Sequence, residues 1–228
     1  ERFAHWKKTE AEKLRPMNAK QRAGYILHYY RFWIFGLLVL LAVGFYIGDA
    51  VVQSRKEIVL QGFFTNDAYN LFPAESIEKD YAATQDLTKR QRIVFDDALY
   101  IDLGGEASDY TAASNGKLMA YTMTHELDFV VTSDEVLAYY KDHMPMKDLR
   151  EILPADLQQQ LGDALYTATD SEGRRSSLAV DMTQSRFVAG TGADADPRVE
   201  HTYYLFVPES APHTEQIVSF LRYAFRLE

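Results

Sequence analysis

The chain has 228 residues, 24 Lys+Arg against 33 Asp+Glu for a formal net charge of −9, 47% hydrophobic residues and no cysteine. That length allows one or two domains with a sizeable core, and the balance of apolar and charged residues excludes wholesale disorder and collagen-like repeats. Without cysteine there is no disulfide framework, thiol catalysis or Cys-ligated zinc or iron–sulfur centre.

The charge is unevenly placed. Residues 1–31 carry 8 Lys/Arg and 3 Asp/Glu, residues 32–52 carry Asp49 alone, and residues 53–228 carry 16 Lys/Arg and 29 Asp/Glu. The three stretches therefore have net charges of +5, −1 and −13. A basic head, an apolar middle and an acidic body is a membrane-protein pattern. The acidic body also argues against nucleic acid as a partner, because a polyphosphate backbone repels it.

In the head (residues 1–31), Phe3, Trp6 and Leu14 anchor a first short helix. Pro16-Met17-Asn18 breaks it and supplies a new N-cap. From Ala19 onward, Tyr25, Ile26, Tyr29, Tyr30 and Trp33 recur at helical spacing. Lys20, Arg22 and Arg31 can reach lipid phosphates while Tyr29, Tyr30 and Trp33 sit at the interface, so these six residues are the expected membrane-anchoring set. The head can be a simple topology anchor or a docking surface for a partner.

Residues 32–52 read as a transmembrane helix. Phe32 to Gly48 is a run of 17 residues without a strongly polar side chain, and the whole stretch spans about 30 Å as a helix, one hydrocarbon core. The basic residues precede it and only Arg55 and Lys56 follow closely. The positive-inside rule then places the N-terminus in the cytoplasm and the body outside the plasma membrane. Gly44-Phe-Tyr-Ile-Gly48 is a GxxxG, with Gly36 near the same face; small residues let helices approach closely in lipid, so Gly36, Gly44 and Gly48 are the expected partner-packing face. Asp49 is expected at the outer boundary, in reach of water.

Residues 57–228 read as an alternation of strands and helices. Strands are expected at Ile58–Phe64, Arg92–Leu103, Leu127–Thr132, Ala164–Thr169, Ser177–Asp181 and Tyr203–Val207. Helices are expected at Pro73–Ala83, Asp109–Tyr121, Glu135–His143 (capped by Ser133-Asp134), Leu149–Ile152, Ala155–Leu161 and Pro212–Phe225. The two strands flanking Ser171–Arg175 form a hairpin with Gly173 in its turn, and residues 184–198 form a polar surface loop. The fold class is α/β, a three-layer domain with a mixed sheet.

That order of elements carries a resemblance. His125–Thr132 (HELDFVVT), a helix ending in Tyr139-Tyr-Lys-Asp-His143, Met146–Pro154 (MKDLREILP), Leu178–Met182 (LAVDM) and Tyr204-Leu-Phe-Val-Pro208 together resemble part of a type-2 periplasmic solute-binding protein over residues 90–225. About 170 outer residues are too few for the two lobes usual in that family, so the interlobe cleft is expected to be reduced or missing. The stretch from Met17-Asn-Ala-Lys20 through Tyr25-Ile26 to Tyr29-Tyr30, ahead of a single span, resembles membrane proteins of Gram-positive, clostridia-like bacteria found near ABC transporter components. The resemblance implies a binding or assembly domain rather than a catalyst.

Motifs for chemistry are sparse. His125-Glu126 is not an HExxH, because Phe129 stands where the second His belongs. The other histidines (His5, His28, His143, His201, His213) show no ligand spacing for zinc. Asp96, Asp97 and Asp102 could act as acid–base or cation-binding carboxylates, or be solvated strand ends. Asp194 and Asp196 beside Gly190 and Gly192 faintly suggest calcium but lack the twelve-residue loop. Arg174-Arg175 reads as a solvated hairpin tip. No catalytic residue, metal or cofactor is expected. The leading expectation is a non-catalytic accessory or scaffold subunit of a membrane complex, with membrane subunits such as an ABC-type transporter and the lipid bilayer as partners. The alternative is a membrane-tethered solute-binding or sensing protein, with Tyr110, Tyr121, Tyr139 or Tyr203 lining a concave site.

Overall fold

The computed structural model describes residues 30–104, 108–169, 173–192 and 199–227, together with Asn18, Gln21, Gly24, His28 and Asp196. Of the expected anchoring residues, Lys20, Arg22 and Tyr29 lie outside the described set, as does Asp194. The chain divides into two compact units, residues 1–55 and 56–228.

In the first unit, Asn18 and Gln21 cap each other: the Asn18 amide donates to Gln21 Oε1 at 3.1 Å and the Gln21 amide donates to Asn18 Oδ1 at 3.0 Å. A reciprocal box of this kind is the pattern of a helix N-terminus, and Gln21, Gly24 and His28 are helical. Helix α1 runs Arg31–Ser54 and is long and apolar enough to cross a membrane. None of its residues is buried. Leu, Val, Ile and Phe cover its whole circumference, which suits a lipid surround rather than one flank of a soluble core.

The second unit is an α/β domain on a six-stranded mixed sheet of order β2-β1-β3-β6-β5-β4. The strands are β1 Glu57–Thr65, β2 Gln91–Leu99, β3 Phe129–Ser133, β4 Leu165–Thr169, β5 Arg175–Asp181 and β6 Tyr203–Phe206. Helices α2 (Ala74–Ala82) and α3 (Asp109–Met123) cross between the parallel strands β1, β2 and β3. Helices α4 (Asp134–His143), α5 (Leu149–Ile152), α6 (Ala155–Leu161) and α7 (Thr214–Phe225) complete the domain. Strand β6 is antiparallel to β3 and to β5, and β4 closes the sheet as an antiparallel hairpin with β5.

Strand alternation assigns two cores. Leu60, Phe64, Phe95, Phe129, Val131 and Leu205 face α2, α5, α6 and α7, where Tyr81, Leu157 and Phe220 meet them. Phe63, Val130, Ala179 and Phe206 face the other way, against Leu118 of α3 and Val136, Leu137 and Tyr140 of α4. Successive residues of one strand thus serve opposite faces, the period-two consequence of the pleat. Gly62 lets the neighbouring strand approach closely: a Cβ there would lie 2.2 Å from Phe129 Cζ.

Two expectations are corrected. The second strand stops at Leu99 rather than Leu103, because Tyr100 and Ile101 leave the ladder and Asn66 grips Ile101 by both amide atoms, at 2.7 and 2.9 Å. The stretch from residue 184 is also more than a surface loop, since Ser185 and Val188 are buried and Phe187 packs against the larger core.

Candidate functional site

The crossovers define where a ligand site belongs on this sheet. The helix after β1 lies on one face and the helix after β3 on the other, so the chain leaves these adjacent parallel strands in opposite directions. Ligands in open α/β sheets bind in the crevice so opened at the carboxyl ends of the strands. Here that edge is formed by Thr65, Asn66 and Asp67 after β1, Thr132, Ser133 and Asp134 at β3, and His201 and Tyr203 at the start of β6.

The edge is held by hydrogen bonds of short reach. The Thr65 hydroxyl donates to Thr132 Oγ1 at 2.7 Å, a buried pair joining β1 to β3. Asn66 adopts a left-handed φ of 58°, which Asn tolerates because its short side chain bonds locally. Asp67 folds the next loop back by accepting from the amides of Leu71 (2.9 Å) and Phe72 (2.6 Å). The Tyr203 phenol donates to the Asn66 carbonyl at 2.8 Å. Burial, and then the negative charges of Asp67 and Asp134, push the Tyr203 hydroxyl up to about 12. The first amide of α4, Asp134, donates to the Thr202 carbonyl at 2.9 Å, and His201 Nδ1 lies 3.1 Å from Asp134 Oδ1.

Ser133 stands out in this set. It is only 3% exposed and occupies the N-cap position of α4, yet its hydroxyl makes no capping bond. A serine at that position ordinarily satisfies an amide of the first turn. The hydroxyl therefore remains as a donor and acceptor for something other than the helix.

The aromatic set expected to line a concave site is not gathered. Tyr110 is exposed on α3 and donates to the Ala98 carbonyl, Tyr121 packs edge-on against Phe63, and Tyr139 stacks on His143 with ring centroids 4.1 Å apart. Only Tyr203 reaches the carboxyl edge. The strand carboxylates are structural. Asp96 pairs with Lys117 of α3, Asp97 accepts from the Ala74 amide that starts α2 at 2.9 Å, and Asp102 accepts from the Gly104 amide at 3.1 Å. On α1, Gly36, Gly44 and Gly48 are open: a Cβ at any of them would meet nothing within 4 Å. Arg31 lies over the Phe32 ring at 4.7 Å, Trp33 is exposed, and Tyr30 is half-buried.

One cluster is invisible in the sequence. Asp128, fully buried just before β3, accepts from the Gln61 amide at 2.7 Å and the His213 amide at 2.9 Å, with His213 Nδ1 3.1 Å from both carboxylate oxygens. It ties β1, β3 and the start of α7 together at the amino edge. Among the described residues no group of three or more His, Asp or Glu is placed to hold a metal ion.

No protein-family model matches this chain, and no curated protein or solved structure matches it significantly.

Proposed function

We propose that the chain is a single-pass membrane protein with its N-terminus in the cytoplasm, and that residues 57–228 form a tethered, non-catalytic recognition domain outside the membrane, related in layout to one lobe of a type-2 solute-binding protein. The observation that carries this reading is the carboxyl edge of β1 and β3. It combines a topological crevice with the buried, uncapped Ser133 hydroxyl and acceptors at Asp67 and Asp134. Such an edge suits a small polar ligand bearing hydroxyl or amino groups rather than an anion.

The test has two parts. The chain lacks cysteine, so a single cysteine at exposed Gln159 reports topology without background. A membrane-impermeant maleimide should label it in intact cells; labelling only after permeabilisation refutes the outside placement. A thermal-shift screen of the full chain with sugars, polyols and amines should give hits that Ser133→Ala weakens. An unshifted panel refutes the recognition site.

A second reading, an accessory subunit in a membrane complex such as an ABC-type transporter, draws support from the open face of α1. Gly36, Gly44 and Gly48 leave backbone accessible where a partner helix could pack. Charged substitutions at Gly44 and Gly48 should abolish co-purification of a membrane partner, and unchanged recovery removes this reading.

A further inference from the structure

Helix α3 carries an apolar face on its solvent side. Of its 15 residues only Ser114 and Leu118 are buried. On the opposite side, at helical spacing, lie Ala112, Ala113, Gly116, Met119, Ala120 and Met123, all exposed, Met123 by 75%. Asp109, at the first position, is the one charge in this stripe, and Lys117 beside it pairs with Asp96. Helices α2 and α4 differ. They present Glu75, Lys79 and Asp80, and Asp134, Glu135 and Asp142, to solvent, as helices on a domain surface ordinarily do.

Gly116 is an independent sign. A glycine inside a helix weakens it relative to alanine. Gly62 answers to the ring of Phe129, but a Cβ at Gly116 would meet nothing within 4 Å. Packing inside the domain therefore gives this glycine no role. A missing side chain in mid-helix lets a second helix backbone approach closely.

Charge and area identify the occupant. Residues 53–228 hold 29 acidic against 16 basic residues, a net charge of −13, so two copies repel through most of their surfaces. The uncharged stripe is where that repulsion is least. It is also self-complementary, as a two-fold contact requires: with Gly116 set against Gly116 of a second copy, alanines flank the crossing and the methionines fill the space left. A helix of this length offers a strip of about 22 by 10 Å, hence about 200 Å² per partner, against about 800 Å² in a stable free complex. The contact therefore needs a high local concentration. Anchorage by α1 in one membrane supplies it, and a second copy shares that anchor.

We propose that α3 is a homodimer contact, in which two copies anchored in one membrane pair through Ala112, Gly116, Ala120 and Met123. The inference rests on the membrane-anchor reading of α1 and is independent of the carboxyl-edge reading.

The chain has no cysteine, so introduced cysteines report the contact directly. Gly116→Cys, oxidised with copper phenanthroline in native membranes, should give a disulfide-linked species of twice the chain mass, because a close helix crossing brings the two Cα atoms within about 7 Å. Gln159→Cys, at an exposed residue of α6, should give at least tenfold less. Adding Ala120→Glu to Gly116→Cys places like charges in the contact and should cut the yield about tenfold at an unchanged thermal midpoint. Energy transfer between copies labelled at Gln159→Cys, with Gly116 intact, should fall on the same Ala120→Glu change. A chain recovered outside the membrane fraction refutes the anchor and the dimer with it. A membrane-bound chain overturns the dimer alone if Gly116→Cys gives no linked species, links no better than Gln159→Cys, or links only to a different protein.

Discussion

Replacing Gly62 by alanine probes a close cross-strand approach in the sheet. The added Cβ would sit 2.2, 2.5 and 2.6 Å from Phe129 Cζ, Cε2 and Cε1, so it meets the ring face rather than a flexible tip. The ring has nowhere to go. Phe129 is fully buried, stacked on Phe220 at 4.6 Å and packed edge-on against Phe95 at 5.6 Å and Phe64 at 6.0 Å. Overpacking of this kind costs about 1–3 kcal/mol and sometimes more, against about 0.5–1 kcal/mol gained by removing a glycine from the unfolded chain. Relief of more than 1 Å needs several rings to move together, which puts the cost at the upper end. The expected net loss is about 2 kcal/mol, or a fall in thermal midpoint of about 4–8 °C for a domain of this size. Thermal and urea unfolding of the full chain, followed by far-UV circular dichroism, measures it. Phe129→Leu in the Gly62→Ala background should cost at least 1 kcal/mol less than in the parent, because the two changes share one space. A Gly62→Ala chain as stable as the parent, or strictly additive double-variant energetics, refutes this account.

Other outcomes follow from the same structure. Burial, reinforced by the neighbouring Tyr139, pushes the Tyr140 hydroxyl up to about 12, and Tyr203 reaches the same value. Both stay protonated in the fold after their unfolded counterparts ionise, so their stability contribution is complete below pH 10 and is lost between about pH 10 and 12. That loss is about 2–3 kcal/mol for each group. Alkaline unfolding should be steep in this window, and Tyr140→Phe should blunt it; an unchanged profile contradicts the assignment. Asp128→Ala should destabilise by about 3–5 kcal/mol, since it strands the Gln61 and His213 amides and leaves the imidazole without its carboxylate. A loss below 1 kcal/mol by urea unfolding would show that water replaces the carboxylate. Asp97→Ala removes the carboxylate that accepts from the first amide of α2 and should cost about 1 kcal/mol, readable as a lower urea midpoint at constant slope.

The local signals in the chain were sufficient for much of this architecture. The apolar run from Phe32 marks α1 because no folded core need be known to count a length of uncharged residues. The helices expected at Ala155–Leu161 and Pro212–Phe225 stand at Ala155–Leu161 and Thr214–Phe225. Asn18 was legible as a cap from its place after Pro16-Met17.

Sequence alone determined where the elements lie, their type, and the basic–apolar–acidic order along the chain, because periodicity, caps and charge runs are properties of neighbouring residues. Tertiary structure alone decided how distant residues meet. It inserts β6 between β3 and β5, which no alternation of apolar residues encodes, and it sends the chain from β1 and β3 to opposite faces, which opens the edge at Thr65, Thr132 and Ser133. It brings His213 to Asp128. It also gives Gly62 its reason, the face of Phe129 in the neighbouring strand. Each of these is a contact between segments far apart in sequence, fixed when loop-closure entropy is overcome by burial of the shared core, and hence unreadable from any local window.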